Sequence, residues 1–334
     1  MKVLILGGTG LISRTITEHL LHKKDIEITH FNRGLKTTTP PGVKTIVGDR
    51  TNYISFERQM EEADRYDVVI DMIGYHPDEV SSAIRTFKGR VKQYIFCSTV
   101  DIYPKWSVKY PITEAEPLEA SPAFEYAYNK VKCEKLLWQA HEQKCFEVTC
   151  IRPAHTYGEG GNILHTLGWD NTYLPDRMKK NKKIICHGDG TSLWGSAHAH
   201  DVGKAFANAV GNIKTYGEGY HVAADEWITW NYYYTQMAES MGYDKPEMVY
   251  IPSNIIKKLK PDTGFICDEN FKYSNVFDNT KAHKDLGYTY TISWKEGIKR
   301  TILWLEKEGK IQNSDQYPEY DDTINKWDNI INKL

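Results

Sequence analysis

Along the first half of the chain, short apolar runs alternate with longer stretches whose apolar residues recur every three or four positions. The runs Val3–Leu6, Ile26–Phe31, Val43–Val47, Val68–Met72, Tyr94–Ser98 and Val148–Arg152 have strand length,. They are nearly continuous in hydrophobicity, which predicts strands buried on both faces, as in a parallel sheet covered by helices. Ile12, Ile16 and Leu20 share one face of a predicted helix from about Leu11 to His22, and a second helix is expected over about Phe124 to His141,. Ile184–Cys186 and Tyr220–Ala223 read as late strands that return to the same sheet. From about Lys245 the chain becomes richer in Pro, Asn, Asp and aromatic residues, and this stretch reads as a smaller cap over the carboxyl edge of the sheet.

The class expected is therefore α/β: a doubly wound parallel sheet of Rossmann type over residues 1–158, completed by late strands between about 183 and 225. Residues 159–182 and 226–334 would form the substrate-binding cap. Gly7-Gly8-Thr9-Gly10-Leu11-Ile12-Ser13 follows the first strand and opens the first helix. Glycines there permit a tight turn, and the helix N-terminus offers N–H groups and partial positive charge to a pyrophosphate. Ser13 stands where a third glycine is expected, and serine is small enough for helix–strand packing. After the second strand come Asn32 and Arg33, with no acidic residue to take the ribose 2′-hydroxyl. Arg33 suits a 2′-phosphate, so NADP is favoured over NAD. Asp49, after the third strand, is placed to meet adenine.

Composition narrows the classes. Net charge is −2 over 334 residues, which gives no general attraction to nucleic acid or anionic membrane,. The basic clusters Arg177 to Lys183 and Lys257 to Lys260 read as solvated faces. Six cysteines show no CxxC spacing and read as buried free thiols of a cytoplasmic protein,. The opening apolar run is too short for a signal or membrane segment. His198-Ala199-His200-Asp201 could hold a metal pair, but no third ligand is evident, so it reads as a histidine-lined loop before a helix capped by Asp201. No G-x-S-x-G elbow marks a serine hydrolase.

Two Tyr-x-x-x-Lys pairs, Tyr126/Lys130 and Tyr128/Lys132, each share a face of the second predicted helix, and the resemblance given below selects the first,. An ammonium beside a phenol in a dinucleotide site lowers the phenol's pKa. Moving it from about 10 towards 7 takes about 4 kcal/mol. The segment Tyr126-Ala127-Tyr128-Asn129-Lys130-Val131-Lys132-Cys133-Glu134 resembles the extended short-chain dehydrogenase/reductase family of NAD-dependent epimerases and dehydratases. Further resemblances lie in Gly7–Ser13, Val47–Arg50, Cys97–Tyr103, Arg152-Pro153-Ala154-His155-Thr156-Tyr157-Gly158, Gly188-Asp189-Gly190 and His198–Val202. Phe31-Asn32-Arg33-Gly34 and Val47-Gly48-Asp49-Arg50 are also similar to an atypical branch related to chloroplast stem-loop RNA-binding proteins.

The resemblance implies Thr99, Tyr126 and Lys130 as catalytic residues. It implies cofactor contacts at Gly7, Thr9, Gly10, Leu11 and Ile12, at Asn32, Arg33, Asp49 and Arg50, at Met72, Ile73 and Gly74, and at Tyr126, Lys130 and Pro153. Substrate contacts would come from Thr99, His155 and Trp194. Val100-Asp101 departs from the Asp-Glu pair of the family's dehydratases, which speaks against 4,6-dehydration. His155 and Trp194 replace an asparagine and an arginine that hold nucleotide-sugar phosphates. The expected protein is a NAD(P)-dependent epimerase or reductase acting on a secondary hydroxyl of a sugar or sugar-nucleotide-like substrate. It would be a homodimer with no membrane or metal partner. The alternative is a dinucleotide-sensing or RNA-binding relative without turnover.

Overall fold

The computed structural model describes residues 1–35, 39–106 and 109–333. Seven described strands form one parallel sheet: β1 (Lys2–Leu6), β2 (Glu27–Asn32), β3 (Val43–Val47), β4 (Val68–Asp71), β5 (Gln93–Cys97), β6 (Glu147–Pro153) and, at the far edge, β11 (Glu218–Val222). Their order is β11-β6-β5-β4-β1-β2-β3. Side chains alternate between two cores, as strand geometry requires. Val3 and Ile5 join the core under α1 (Leu11–Leu21) and α6 (Ala199–Ala209). Leu4 and Leu6 join the core under α2 (Tyr53–Glu62), α3 (Pro77–Phe87) and α4 (Glu125–Glu142). Chain direction across the sheet reverses at β1, so the crevice beside its carboxyl end is where such sheets bind ligands.

The remaining elements build the second lobe. The strand at Ile184–His187 (β8) does not return to the main sheet. It pairs instead with β13 (Met248–Ile251) in a separate two-stranded parallel ribbon. A short apolar run carries no mark of which partner it takes. β7 (His155–Tyr157) pairs with β10 (Ser196–His198), and β9 (Leu193–Trp194) with β12 (Ile228–Thr229). Around them lie α5 (Leu174–Lys179), α7 (Trp230–Ser240), α8 (Ser253–Leu259), α9 (Pro261–Ile266), α11 (Trp294–Lys307) and α12 (Pro318–Ile331). Their core is aromatic, with Trp230, Tyr233, Trp294 and Tyr320 fully buried. α10 (Thr280–Leu286) is an exception in the late sequence, since its Ala282 and Leu286 pack into the core beneath α6.

Two expectations about charge need adjustment. Arg177 is not on a solvated face: it is fully buried over the Tyr320 ring and donates to Asp321 at 2.6 Å. Lys257 lies on a solvated face, 40% exposed, and pairs there with Asp268 and Glu269. Asp201 does not cap α6, whose N-cap is His198. Its carboxylate instead accepts from the Thr291 and Ile292 amides. All six cysteines are free and buried. Among the described residues, no helix is long and apolar enough to cross a membrane.

Candidate active site

Two clefts along the carboxyl edge share Gly7, Gly10, Ile73 and Tyr75 and so form one trough. Gly7 sits at φ +83°, and a Cβ there would strike Ile73, so no other residue fits the turn without strain,. Ser13, in place of a third glycine, donates to the Gly7 carbonyl at 2.7 Å and pins the turn. Gly10 caps α1 without any side-chain bond, which leaves the N–H groups of the first turn without a side-chain acceptor,. From α1, Arg14 donates to the Glu159 carbonyl at 2.9 Å. The Glu159 carboxylate in turn meets His198 at 2.9 Å, a bond that holds its pKa down to about 2. The loop after β7 is thereby strapped beside the trough.

At one end of the trough, Thr9, Asn32, Arg33 and Asp49 line the wall. Asn32 accepts from the Gly34 amide at 2.9 Å through Oδ1, while its Nδ2 is buried with no partner. A buried amide donor left open in a cleft marks a place for a ligand acceptor. Arg50 lines the same cleft. Its guanidinium turns inward to Asp71 at 2.5 Å and to the Glu79 carbonyl at 2.8 Å, because a charge that deep needs a counter-charge,. Pro153 ends β6, buried and paired with Val222, and lines neither cleft.

At the other end Leu11, Ile12, Met72, Tyr75, Tyr126 and Lys130 converge. Lys130 is 1% exposed and donates to the carbonyls of Gly74 at 2.9 Å and Cys97 at 2.6 Å. Its ammonium lies 5.0 Å from the Tyr75 ring centroid and 5.8 Å from that of Tyr126. Tyr126 is 40% exposed and lines the cleft. The expected lowering of its pKa is not what this state shows. Crowding by protein atoms on the remaining sides, then Cys97 and Asp101, hold the phenol well above its usual range. Lys130 spends its charge on two carbonyls instead. Thr99 caps the turn at Val100–Ile102, accepting from the Asp101 amide at 3.2 Å.

Beyond Tyr126 lies a cavity of about 600 Å³, with His155 and Trp194 in its wall. Asp101 and Glu125 contribute carboxylates. Phe124, Trp169, Phe265, Phe271 and Phe277 contribute aromatic surface. Sequence reasoning missed these rings, because they come from distant segments with no shared local pattern. It also missed Tyr75, which lines both halves of the trough and directly follows the Met72-Ile73-Gly74 segment.

The glycine turn, the uncapped α1 terminus and the open Asn32 donor fit an elongated ligand with a central anionic group, as a dinucleotide is. Residues 3–223 match the sequence profile of the NAD dependent epimerase/dehydratase family. A 2′-dehydrokanamycin reductase of Streptomyces kanamyceticus is 21% identical, over 94% of this chain and 87% of its own length. The dTDP-glucose 4,6-dehydratase of Bacillus anthracis, solved with NAD, superposes with a TM-score of 0.74 at 17% identity, covering 92% of this chain and 97% of that one. A UDP-glucose 4-epimerase from Thermotoga maritima gives 0.74 at 21% identity, covering 92% and 99%. At such identities these two structures speak to the fold alone.

Proposed function

Because the chain belongs to the NAD dependent epimerase/dehydratase family, we propose that it is a NAD(P)-dependent oxidoreductase or epimerase acting on a secondary hydroxyl of a sugar-like substrate. The observation that carries this reading is the position of Tyr126, which lines both the trough and the 600 Å³ cavity. On this reading one phenol would serve a dinucleotide on one side and a substrate on the other.

A nicotinamide bound at the inner end of the trough supplies the hydride acceptor or donor. The Gly7–Gly10 turn and the first turn of α1 give N–H groups to the diphosphate. Lys130, once it turns from the carbonyls of Gly74 and Cys97, holds ribose hydroxyls and brings its charge to bear on Tyr126,. Tyr126 then takes the proton from the substrate hydroxyl, or returns it to a ketone, and Thr99 bonds the same substrate oxygen. Asn32 and Arg33 bring donors to the outer end, where the end of β2 carries no carboxylate. That arrangement favours a 2′-phosphate and hence NADP,.

The test is dinucleotide-dependent turnover of polyols and keto-sugars, followed at the nicotinamide chromophore. Tyr126→Phe should lower kcat by about 10²–10⁴-fold with NADPH affinity kept. A variant that keeps wild-type turnover removes Tyr126 from its role.

A further inference from the structure

Among the described residues that line the cavity beyond Tyr126, none is Lys or Arg, and the two charged ones, Asp101 and Glu125, are acidic. Nearby cations are already engaged. Lys105, 5% exposed, meets Asp101 at 3.0 Å and also donates to the Asn275 side chain. Arg152 is held by Glu134 at 2.7 Å. On the opposite wall Trp194 Nε1 donates to Ser196 Oγ at 3.1 Å, and that hydroxyl lies 2.9 Å from His155 Nδ1. These polar groups therefore satisfy one another. Burial pushes the His155 imidazole down to about 4, so it carries no charge near neutral pH. A diphosphate here would lose water and gain no cation, an unpaired burial that proteins avoid.

What the walls do offer is flat carbon surface. Phe124, Trp169, Trp194, Phe265 and Phe271 surround a space of about 600 Å³, with the Asp101 carboxylate and the Tyr126 hydroxyl among its polar points. Aromatic faces take the C–H faces of sugar rings and also attract cations. Resting on the reading of the trough given above, we propose that the occupant of this cavity is a phosphate-free glycoside with no negative charge, stacked on these rings with one hydroxyl at Tyr126.

Calorimetry on the full chain decides it. NADP⁺ binding is measured first, alone. Methyl and phenyl hexosides, an amino-hexoside, UDP and UDP-glucose are then titrated into the protein with and without NADP⁺. The best phosphate-free glycoside should bind at least about tenfold tighter than either uridine compound. Trp169→Ala, at a residue that is 45% exposed, should weaken that glycoside about tenfold and leave NADP⁺ affinity unchanged,. UDP or UDP-glucose binding as tightly as the best glycoside overturns the inference, and so does an absence of binding by every glycoside. A protein that takes NADP⁺ yet prefers UDP-glucose refutes the cavity inference alone. One that takes glycosides but no dinucleotide supports the cavity inference and refutes the reading of the trough.

Discussion

Replacing Asp71 by asparagine removes one charge and almost no volume. In the native fold its carboxylate takes Arg50 at 2.5 Å, the Tyr94 hydroxyl at 2.5 Å and the Ile73 amide at 3.1 Å. The Arg50 and Asp71 side chains are 3% and 0% exposed, so solvent screening is slight. Two unit charges about 4 Å apart at an effective dielectric near 20 interact by about 4 kcal/mol. Leaving one member of a buried pair uncompensated costs about 3–5 kcal/mol, which agrees. With an unfolding entropy of about 2.1 cal/mol/K per residue, 334 residues give about 0.7 kcal/mol/K,. Asp71→Asn should therefore lower Tm by about 6 °C if the chain unfolds as one unit, with a matching drop in urea midpoint. Tyr94→Phe, which removes one hydrogen bond and no charge, should cost only about 1–2 kcal/mol. Burial alone would raise the Asp71 pKa, but the Arg50 charge and the hydrogen bonds outweigh it and hold it low. The pair's contribution is thus complete above the ordinary carboxylate range and drains away as pH falls below it. An Asp71→Asn protein within about 1 kcal/mol of wild type at neutral pH would refute this reasoning.

Other expectations are as direct. Burial lowers His30, His155, His165 and His187 to about 4 and His221 to about 3. Their folded values lie below the unfolded one, so stability is complete above about pH 6.5 and is lost as pH falls towards 4. Near pH 5 unfolding should take up between about four and five protons from these five histidines, a slope of about 6 kcal/mol per pH unit in urea titrations, and a slope worth one proton contradicts it. The six buried thiols should ignore a thiol reagent until urea is added,. Arg33→Ala should raise KM for NADPH about tenfold or more and leave NADH unchanged, and an equal effect on both removes Arg33 from any 2′-phosphate.

Much of the sheet was legible because each strand carries its own signature. Val3–Leu6 is continuous in hydrophobicity, and the pattern Ile12, Ile16, Leu20 buries one helix face as expected, with the last two fully buried. Ile184–Cys186 was misplaced because a strand's partner is decided by non-local packing, here with Met248–Ile251. The counter-charge of Arg50 was not legible either, since Asp71 lies twenty-one residues away on β4. Spacing offered two pairs, Tyr126/Lys130 and Tyr128/Lys132, and the resemblance of the surrounding segment selected the first. Its electrostatics could not be read that way, since the Gly74 and Cys97 carbonyls that hold the ammonium come from other elements.

The most direct test of the central claim needs no substrate. Tyrosinate absorbance is titrated with pH for the wild type and for Tyr126→Phe, each with and without saturating NADP⁺, and the variant curve is subtracted. Without dinucleotide the difference should show no ionisation below the ordinary tyrosine range, since desolvation holds the phenol neutral,. With NADP⁺, one phenolate should appear at a pH lower by about two units or more, as the Lys130 ammonium and the positive ring act on it together. Superimposable difference curves with and without NADP⁺ would contradict the claim that Tyr126 is the base of this site.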